Sequence, residues 1–439
     1  MMKKEMISLL LIVGIISCLS ACQSKTVSEE KPMEKTPVPT PVIQTETYNS
    51  TYKIVASAFD WGASSTKAII KLNGQIEAAD VCGFQVTETN RSGNVGEREV
   101  TNVYLCDENG KETAGGSSYI AVEMSADPSH GTLLYYDRSR YYNIWDEDYR
   151  LSFSPIDPQN EILKNLSVDP AYTERKTPQA DKFTQSQFEY NKITMAYALF
   201  TPNSKNEKKP LVVWLHGQGE GGDDVTVTLY GNKLTALADK EIQDILGGAY
   251  VLVPQCPTYW PEKTAESQSF GLNVDGTSYW KEPLKALIDE VVAANNIDAD
   301  RIYIGGCSMG GYMTMLMAKN YPDFFAAVFP VCEYYERFID EEGLKALAEV
   351  PLWFTYCTED RTVPPDMHSA VTINRLKEAG ALNVHASIFN DVHDTTGEYS
   401  NEDGTPFIYD SHWVWIYVLN NECKDGDLDL WEWLAAQHR

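Results

Sequence analysis

The sequence predicts two folded regions: an α/β region built on a mostly parallel sheet with helices on both faces, and an all-β sandwich before it. From about residue 180 onward, continuous apolar runs alternate with helical patterns, which is typical of parallel strands buried on both faces. Between residues 51 and 155, short β-type runs are separated by turn residues, as in antiparallel sandwiches. With 439 residues and 43% hydrophobic content, the chain can bury both cores.

The first 21 residues have the pattern of an export signal. Lys3 and Lys4 precede an apolar run over residues 6–19, which is too short to span a bilayer comfortably. The following Leu19-Ser20-Ala21-Cys22 resembles the bacterial lipobox and implies cleavage before Cys22 and a diacylglyceryl group on its sulfur. An ordinary signal peptide is the alternative. We therefore expect an extracytoplasmic protein that is lipid-anchored to the bacterial cell membrane.

The composition before residue 51 and the net charge indicate a flexible linker and disfavour some classes of binding partner. Residues 22–50 are rich in Ser, Thr, Glu, Lys and Pro without apolar periodicity, which predicts a flexible linker. With 63 acidic against 36 basic residues, the formal net charge of -27 disfavours nucleic acid and anionic lipid surfaces as partners. Membrane contact is therefore expected through the lipid anchor only.

Residues 51–155 are predicted to form the sandwich. Two pairs, Asn73-Gly74 and Asn109-Gly110, indicate hairpin turns because both residue types tolerate positive φ. No His, Asp or Cys residues in this region have the spacing of metal ligands. We therefore expect a structural or carbohydrate-contacting role, with the aromatic residues in core and interface positions. The predicted strands are 52–55, 67–72, 100–105 and 119–124, and the aromatic residues are Trp61, Tyr135, Tyr136, Tyr141, Tyr142 and Trp145.

Residues 180–439 are predicted to form the α/β domain. No internal repeat of fixed period is visible, which excludes a solenoid or a propeller. The predicted strands are 193–200, 211–215, 249–254, 301–304, 326–330, 352–356 and 384–389, and two of the predicted helices are 283–295 and 368–379.

Residues 301–311 have the pattern of a buried strand, a sharp turn and the start of a helix. The turn carries Gly306-Cys307-Ser308-Met309-Gly310, in which glycines occupy positions where a Cβ would clash and the serine hydroxyl projects above the sheet. Residues 312–319 continue as a helix. Ser308 is therefore the candidate nucleophile, and a glycine-rich turn without chemistry is the alternative.

A nucleophilic serine needs a base and an acid that orients the base. Asp360 follows the predicted strand 352–356 and is the candidate acid. Two histidines lie downstream, His393 directly after the last predicted strand and His412 after a polar loop, and the residue pattern leaves both open as the base. Weaker candidates for the acid are Glu359 and Asp366.

Donors for a developing oxyanion are expected in the glycine-rich loop 216–223 and at the start of the helix after the serine. We predict the backbone N–H groups of Gln218 and Met309. His216 comes before the serine in the chain, so we expect it to anchor the loop rather than to act as the base. The loop lacks the G-K-[ST] ending of a phosphate cradle, which disfavours nucleotide binding.

The cysteines predict neither a disulfide framework nor a metal site. Of nine, Cys18 lies in the signal and Cys22 at the lipobox, which leaves an odd number. The spacing of the others matches no zinc pattern, so buried thiols are expected. An extracytoplasmic location would permit a pair such as Cys82 with Cys106. We expect no metal and no organic cofactor.

These motifs resemble the secreted esterases and predicted peptidases of the α/β-hydrolase superfamily, relatives of feruloyl esterases and polyhydroxybutyrate depolymerase-like enzymes. The resemblance implies an α/β-hydrolase fold, with the acid and the histidine after the serine. An N-terminal immunoglobulin-like domain accompanies several such proteins, which implies that fold for residues 51–155. In those relatives tryptophan follows the histidine three residues later, as Trp415 follows His412, so the resemblance favours His412 over His393. It covers about residues 185–439 and rests on 215–223, 298–311, 412–415 and 430–434.

The combined expectation is a serine hydrolase, with carboxylesterase as the leading activity. Ser308, His412 and Asp360 would cleave acyl or feruloyl-type esters of small molecules or polysaccharides through an acyl-enzyme. A prolyl oligopeptidase-like serine peptidase is one alternative, although such peptidases usually carry a propeller. The other alternative is a non-catalytic lipoprotein that binds glycans.

Overall fold

The computed structural model describes residues 48–203, 207–264 and 274–439. The predicted signal peptide, Cys22 and nearly all of the predicted linker lie outside the described residues. Within the described ranges, no helix has both the length and the apolar character needed to cross a bilayer.

Strands and helices are numbered here in chain order over the described residues. The strands are β1 Thr51–Phe59, β2 Gly62–Ile76, β3 Phe84–Thr89, β4 Val95–Arg98, β5 Val100–Leu105, β6 Ser117–Met124, β7 Leu134–Asp137, β8 Tyr142–Trp145, β9 Arg150–Pro155, β10 Glu174–Lys176, β11 Phe183–Tyr190, β12 Ile193–Phe200, β13 Lys209–Leu215, β14 Tyr250–Gln255, β15 Ile297–Cys307, β16 Ala327–Val331, β17 Leu352–Cys357, β18 Val384–Phe389, β19 Lys424–Asp425 and β20 Leu428–Asp429. The α-helices are α1 Glu161–Lys164, α2 Val225–Gly231, α3 Lys240–Ile245, α4 Lys281–Ala294, α5 Met309–Asn320, α6 Glu341–Ala348, α7 Ser369–Glu378, α8 Trp415–Leu419 and α9 Leu430–Ala436.

The N-terminal strands form a sandwich of mainly antiparallel sheets, as predicted. One sheet has the order β10-β1-β2-β6-β5 and another the order β4-β3-β9, and a separate hairpin joins β7 to β8. Burial alternates along β1, so that Tyr52 and Ile54 point inward. Tyr52 meets Phe153 of β9 edge to face, with ring centroids 5.0 Å apart, and Val86 of β3 lies in the same core. The two sheets therefore enclose a common apolar interior.

The two Asn-Gly pairs behave differently. Asn109-Gly110 forms a turn as predicted: Gly110 has a φ of 83°, and its N–H donates to the carbonyl of Asp107. The hairpin prediction at Asn73-Gly74 is wrong, because both residues lie inside β2. Gly74 serves close packing instead, since a Cβ there would lie 2.7 Å from Cδ1 of Ile162 in α1.

An eight-stranded sheet forms the C-terminal part, in the order β11-β12-β14-β13-β15-β16-β17-β18. The pairs from β14 to β18 are parallel, whereas β11, β12 and β14 pair antiparallel at one edge. Strand β13 is buried on both faces: Val212 and Trp214 belong to one core, and Val213 and Leu215 belong to the other. This confirms the predicted mostly parallel sheet, covered on both sides.

One of these two cores continues into the sandwich. The sheet face that buries Trp214 shares a single cluster of buried side chains with the sandwich interior around Tyr52. Trp145 at the end of β8 packs on Tyr230 of α2, with centroids 5.6 Å apart, and its indole N–H donates to Oγ1 of Thr226 at 2.9 Å. Sandwich and sheet therefore form one packed unit, and Trp145 has the interface position predicted for the aromatic residues.

The seven cysteines of the described residues are all free thiols. Six of them are buried, as expected for cysteine acting as a small apolar residue. An extracytoplasmic location would permit a disulfide between Cys82 and Cys106, but both are free thiols in the structure.

Helix α5 approaches β13 so closely that Gly310 has no room for a side chain. A Cβ there would overlap the carbonyl oxygen of Leu215 and lie 2.6 Å from its carbonyl carbon. Both elements are buried backbone, so neither can move aside, and we expect Gly310→Ala to lower the free energy of unfolding by more than about 3 kcal/mol. Denaturant unfolding measures the loss. Gly115→Ala is the control, because no atom lies within 4 Å of a Cβ at Gly115; equal midpoints for both variants would contradict the prediction.

Candidate active site

Ser308 lies at the tip of a strained turn between β15 and α5. Its φ of 55° and ψ of -114° lie outside the regions that residues with a side chain normally occupy. Such backbone strain costs on the order of 1–3 kcal/mol, which contacts with the surrounding structure offset. The Ser308 N–H donates to the carbonyl of Val331 at 3.0 Å, and the Ser308 carbonyl accepts from the N–H of Tyr312 at 2.9 Å. The main chain thus fixes the turn from both sides, and the predicted sharp turn at Ser308 is present.

Asp360 and His412 form a buried hydrogen-bonded pair. Nδ1 of His412 lies 2.7 Å from Oδ2 of Asp360, and the two residues are 9% and 3% exposed. The other carboxylate oxygen, Oδ1, accepts from the N–H groups of Thr362 at 2.8 Å and Val363 at 2.9 Å. Because Asp360 acts only as an acceptor, Nδ1 of His412 carries the proton and Nε2 has a free lone pair. The geometry is that of a base oriented by an acid.

The other residues that the sequence left open lie elsewhere. Nδ1 of His393 is 2.5 Å from Oδ1 of Asp391 and 3.2 Å from the hydroxyl of Tyr417, in a partly exposed position. Glu359 and Asp366 are exposed. The structure therefore brings Asp360 together with His412 and leaves His393, Glu359 and Asp366 outside this pair.

His216 holds the glycine-rich loop in place. Its Nε2 accepts from the N–H of Cys256 at 2.9 Å, so Nδ1 carries the proton and donates to the carbonyl of Gly217 at 2.6 Å. Burial lowers the pKa of His216 from 6.5 to about 4, which keeps the ring neutral. Its carbonyl also accepts from the indole N–H of Trp260 at 3.1 Å. These contacts fit the anchoring role expected for His216.

A cavity of about 380 Å³ connects the serine, the histidine of the buried pair and the glycine-rich loop. Ser308, His412 and Gln218 line it, and Met309, the next residue after the serine, begins α5. Part of the wall comes from the sandwich, which was not foreseen from the sequence. The sandwich residues are Asp60, Trp61, Tyr136 and Asn143, and the aromatic residues of the α/β part are Trp413 and Trp415.

Aromatic residues of two other loops do not line this cavity. Six aromatic residues lie in the loops that follow β14 and β16, where they could face a pocket or pack in the core: Tyr259, Trp260, Tyr279, Trp280, Tyr334 and Tyr335. Tyr259, Trp260, Trp280 and Tyr335 are buried in the core on the second face of the sheet, and Tyr279 and Tyr334 pack against it. These aromatic side chains therefore serve core packing.

Two buried glutamates have strongly raised pKa values. Burial raises the pKa of both Glu220 and Glu333 from 4.5 to about 7. Glu220 belongs to the wall of the cavity. Glu333 lies beyond β16, where its two oxygens accept from the Tyr335 N–H at 2.6 Å and the Thr372 hydroxyl at 2.8 Å. Nothing in the sequence pattern distinguished these two glutamates from solvent-exposed ones.

The raised pKa of Glu333 predicts a dependence of stability on pH. Because Glu333 resists ionisation in the folded protein, its contribution to the free energy of unfolding is complete below the unfolded pKa of 4.5. That contribution is lost as the pH rises through about 7. We expect the parent to lose about 3 kcal/mol relative to Glu333→Gln between pH 4 and pH 8. Urea unfolding of both proteins across this range checks it, and parallel curves would refute it.

Cys332, Asp360 and His412 are the group of potential metal ligands found among the described residues, with their donor atoms within 4.8 Å of one another. The hydrogen bond between Asp360 and His412 already explains why two of the three lie close together. The thiol of Cys332 lies 3.7 Å from the carbonyl oxygen of His412. Acid–base pairing therefore accounts for the cluster.

Two family models match the chain in succession. A model described as an esterase Ig-like N-terminal domain matches residues 51–159, and a phospholipase/carboxylesterase model matches residues 198–403. The chain is also similar to poly(3-hydroxyalkanoate) depolymerase C of Paucimonas lemoignei, with 28% identity over 33% of each chain. Feruloyl esterase B of Neurospora crassa is 29% identical over 29% of this chain and 40% of its own. These curated relatives are thus matched over only a third to two fifths of their length.

A solved structure extends the likeness to both halves. A protein described as a thermostable esterase superposes with a TM-score of 0.66 at 25% identity, and the match covers 88% of this chain and 99% of that one. Acetylxylan esterase A of Emericella nidulans is 26% identical over 28% of this chain and 38% of its own. The chain therefore has an α/β-hydrolase domain that matches the phospholipase/carboxylesterase family, preceded by an esterase immunoglobulin-like domain.

Proposed function

We propose that the protein is a serine carboxylesterase in which Ser308 is the nucleophile, His412 the general base and Asp360 the residue that orients the base. The observation that carries this proposal is the buried hydrogen bond from His412 to Asp360 at the same cavity as the strained Ser308. A hydroxyl, an imidazole with its remaining nitrogen unprotonated and a buried carboxylate are the groups that acyl transfer by serine requires.

The reaction would proceed in two halves through an acyl-enzyme. Oγ of Ser308 attacks the ester carbonyl carbon while Nε2 of His412 takes the hydroxyl proton. The tetrahedral intermediate collapses, the C–O bond to the alcohol breaks, and His412 gives its proton to the leaving oxygen. Water then attacks the acyl group by the same route and releases the acid. Asp360 stabilises the imidazolium in both halves.

The N–H groups of Gln218 and Met309 would bind the negative oxygen of the tetrahedral intermediate. Support comes from their positions: Gln218 lines the cavity, and Met309 is the first residue of α5, where backbone N–H groups have no partner within the helix. Each such donor is worth roughly 3 to 4 kcal/mol of transition-state stabilisation.

Acyl or feruloyl-type esters of small molecules or polysaccharides are the proposed substrates. The names of relatives that act as feruloyl and acetylxylan esterases support this class. The cavity also offers aromatic walls from Trp61 and Trp413, beside the polar side chains of Asn143 and Asn232. Aromatic faces with a few polar groups suit a neutral aryl or sugar moiety.

We also propose that the protein acts outside the cytoplasm, held to the membrane by a lipid on Cys22. The support is the charged, apolar and small-residue pattern that ends at Cys22. Metabolic labelling with an alkyne fatty acid tests this directly: label and membrane recovery should both be lost in Cys22→Ala. An equally labelled variant would rule out this anchor.

The activity is tested by a substrate panel together with an active-site label. We expect turnover of p-nitrophenyl acetate and butyrate, methyl ferulate or acetylated xylan, and covalent modification of Ser308 by a fluorophosphonate, located by peptide mass spectrometry. A proline-containing peptide anilide in the same panel detects peptidase activity. Absence of both turnover and labelling would reject the proposal and favour a binding protein.

A further inference from the structure

The oxyanion loop is held from beneath by a buried carboxyl group. Glu220 ends the short helical turn that begins at Gln218, and its carboxyl folds back over Gly217, where a Cβ would lie 3.2 Å from Oε2. The main-chain carbonyl of Glu220 accepts from Oγ1 of Thr228 at 2.8 Å and from Nε2 of Gln255 at 3.1 Å. Glu220 thus connects the loop to α2 and β14 and at the same time fixes the peptide that precedes Gln218.

The sandwich supplies a partner for this carboxyl group. Nδ2 of Asn143, on β8, donates to Oε1 of Glu220 at 3.1 Å. The amide of Asn232, just after α2, also lies near this carboxyl and holds its pKa below the value that burial alone would give. Both asparagines line the cavity. A carboxyl group of a residue that is only 5% exposed therefore has an amide donor from the sandwich, with a second amide nearby from the α/β part.

Two glycines make room for this arrangement. A Cβ at Gly219 would lie 2.7 Å from Nδ2 of Asn143, and a Cβ at Gly231 would lie 2.9 Å from Cγ of Glu220. Neither distance is tolerated by a real side chain, so the loop and the end of α2 are shaped around the Asn143–Glu220 contact.

We infer that Glu220 is a positioning residue for the oxyanion donors and that Asn143 of the sandwich holds Glu220 in place. The inference rests on the proposed esterase activity, because it concerns the tetrahedral intermediate formed on Ser308. The carboxyl lies against Gly217 and fixes the peptide that carries the next N–H, that of Gln218, at the edge of the cavity. Loss of this restraint weakens binding of the oxyanion, which forms after the substrate has bound, so it lowers kcat more than it raises KM.

The test compares Asn143→Ala, Glu220→Gln and the double variant on p-nitrophenyl acetate. We expect each single change to lower kcat about 10- to 100-fold while KM stays within about threefold. Affinity for an aryl trifluoromethyl ketone, which forms a tetrahedral adduct with the serine, should fall by a similar factor. Because the two residues act through one contact, the loss of kcat in the double variant should be little larger than that in the less active single variant.

Glu333→Gln is the matched control, since Glu333 is also buried and has a similarly raised pKa but contacts a different part of the fold. It should keep kcat within about twofold. If Glu220→Gln fails to fold, Asn143→Ala, whose side chain is only partly buried, carries the test. If the parent is active and its folded variants keep kcat, change only KM or show additive losses, the inference is wrong and the proposed function stands. A parent without ester turnover overturns the proposed function and the inference together.

Discussion

Replacing Ser308 with alanine is expected to lower kcat for ester hydrolysis by at least about 10⁴-fold while the protein stays folded. Alanine keeps the Cβ, so the strained φ of 55° and the packing of the turn are preserved. What is lost is the hydroxyl oxygen that would form the acyl-enzyme. Steady-state kinetics on p-nitrophenyl acetate measure the loss, and fluorophosphonate labelling should disappear with it.

Two histidine variants separate this effect from general damage. His412→Ala should lose activity on a scale similar to Ser308→Ala, because the nucleophile and its base act as one unit. His393→Ala should stay close to the parent, since His393 contacts Asp391 and Tyr417 and does not line the cavity. The opposite result for the two histidines would reassign the base. Full activity in Ser308→Ala would remove the serine mechanism altogether.

The features that the sequence predicted well are those in which local pattern and burial agree. Residues 302–307, which lead into Ser308, carry no charged side chain because this part of β15 is fully buried. Gly306 and Gly310 flank the serine where the backbone of β13 comes too close for a side chain. Asp360 and Ser308 both follow such strands. Carboxyl ends of parallel strands lie at one sheet edge, so sequence order was sufficient to place both residues at that edge.

The features that the sequence did not predict depend on contacts between distant parts of the chain. Asn73-Gly74 has the composition of a turn, but packing of Ile162 on Gly74 decides in favour of a continuous strand. The contact of Asn143 with Glu220 joins residues 77 positions apart in different domains. No periodicity or motif records such a pairing. The residue pattern alone likewise left His393 and His412 open, because either could follow the last strand of the sheet, and only the resemblance favoured His412.

Asp360→Asn is expected to lower kcat by about 10⁴-fold with little change in KM, because it changes the tautomer of His412. The N–H groups of Thr362 and Val363 both donate to Oδ1 of Asp360, so an asparagine would keep its carbonyl oxygen there and direct its NH₂ group at His412. Nδ1 of His412 would then have to accept, which moves the ring proton to Nε2. A protonated Nε2 cannot take the proton of Ser308.

The side chain of asparagine has nearly the shape of aspartate, so a loss of this size would report the protonation pattern and not the packing. Asp366→Asn is the matched control because Asp366 is an exposed aspartate a short distance along the same loop, and its variant should keep the parent kcat within about twofold. Thermal unfolding of both variants shows whether the fold is intact. If folded Asp360→Asn kept kcat within tenfold of the parent, the hydrogen bond between Asp360 and His412 would have a structural role only, and the orienting group for the base would have to be sought elsewhere.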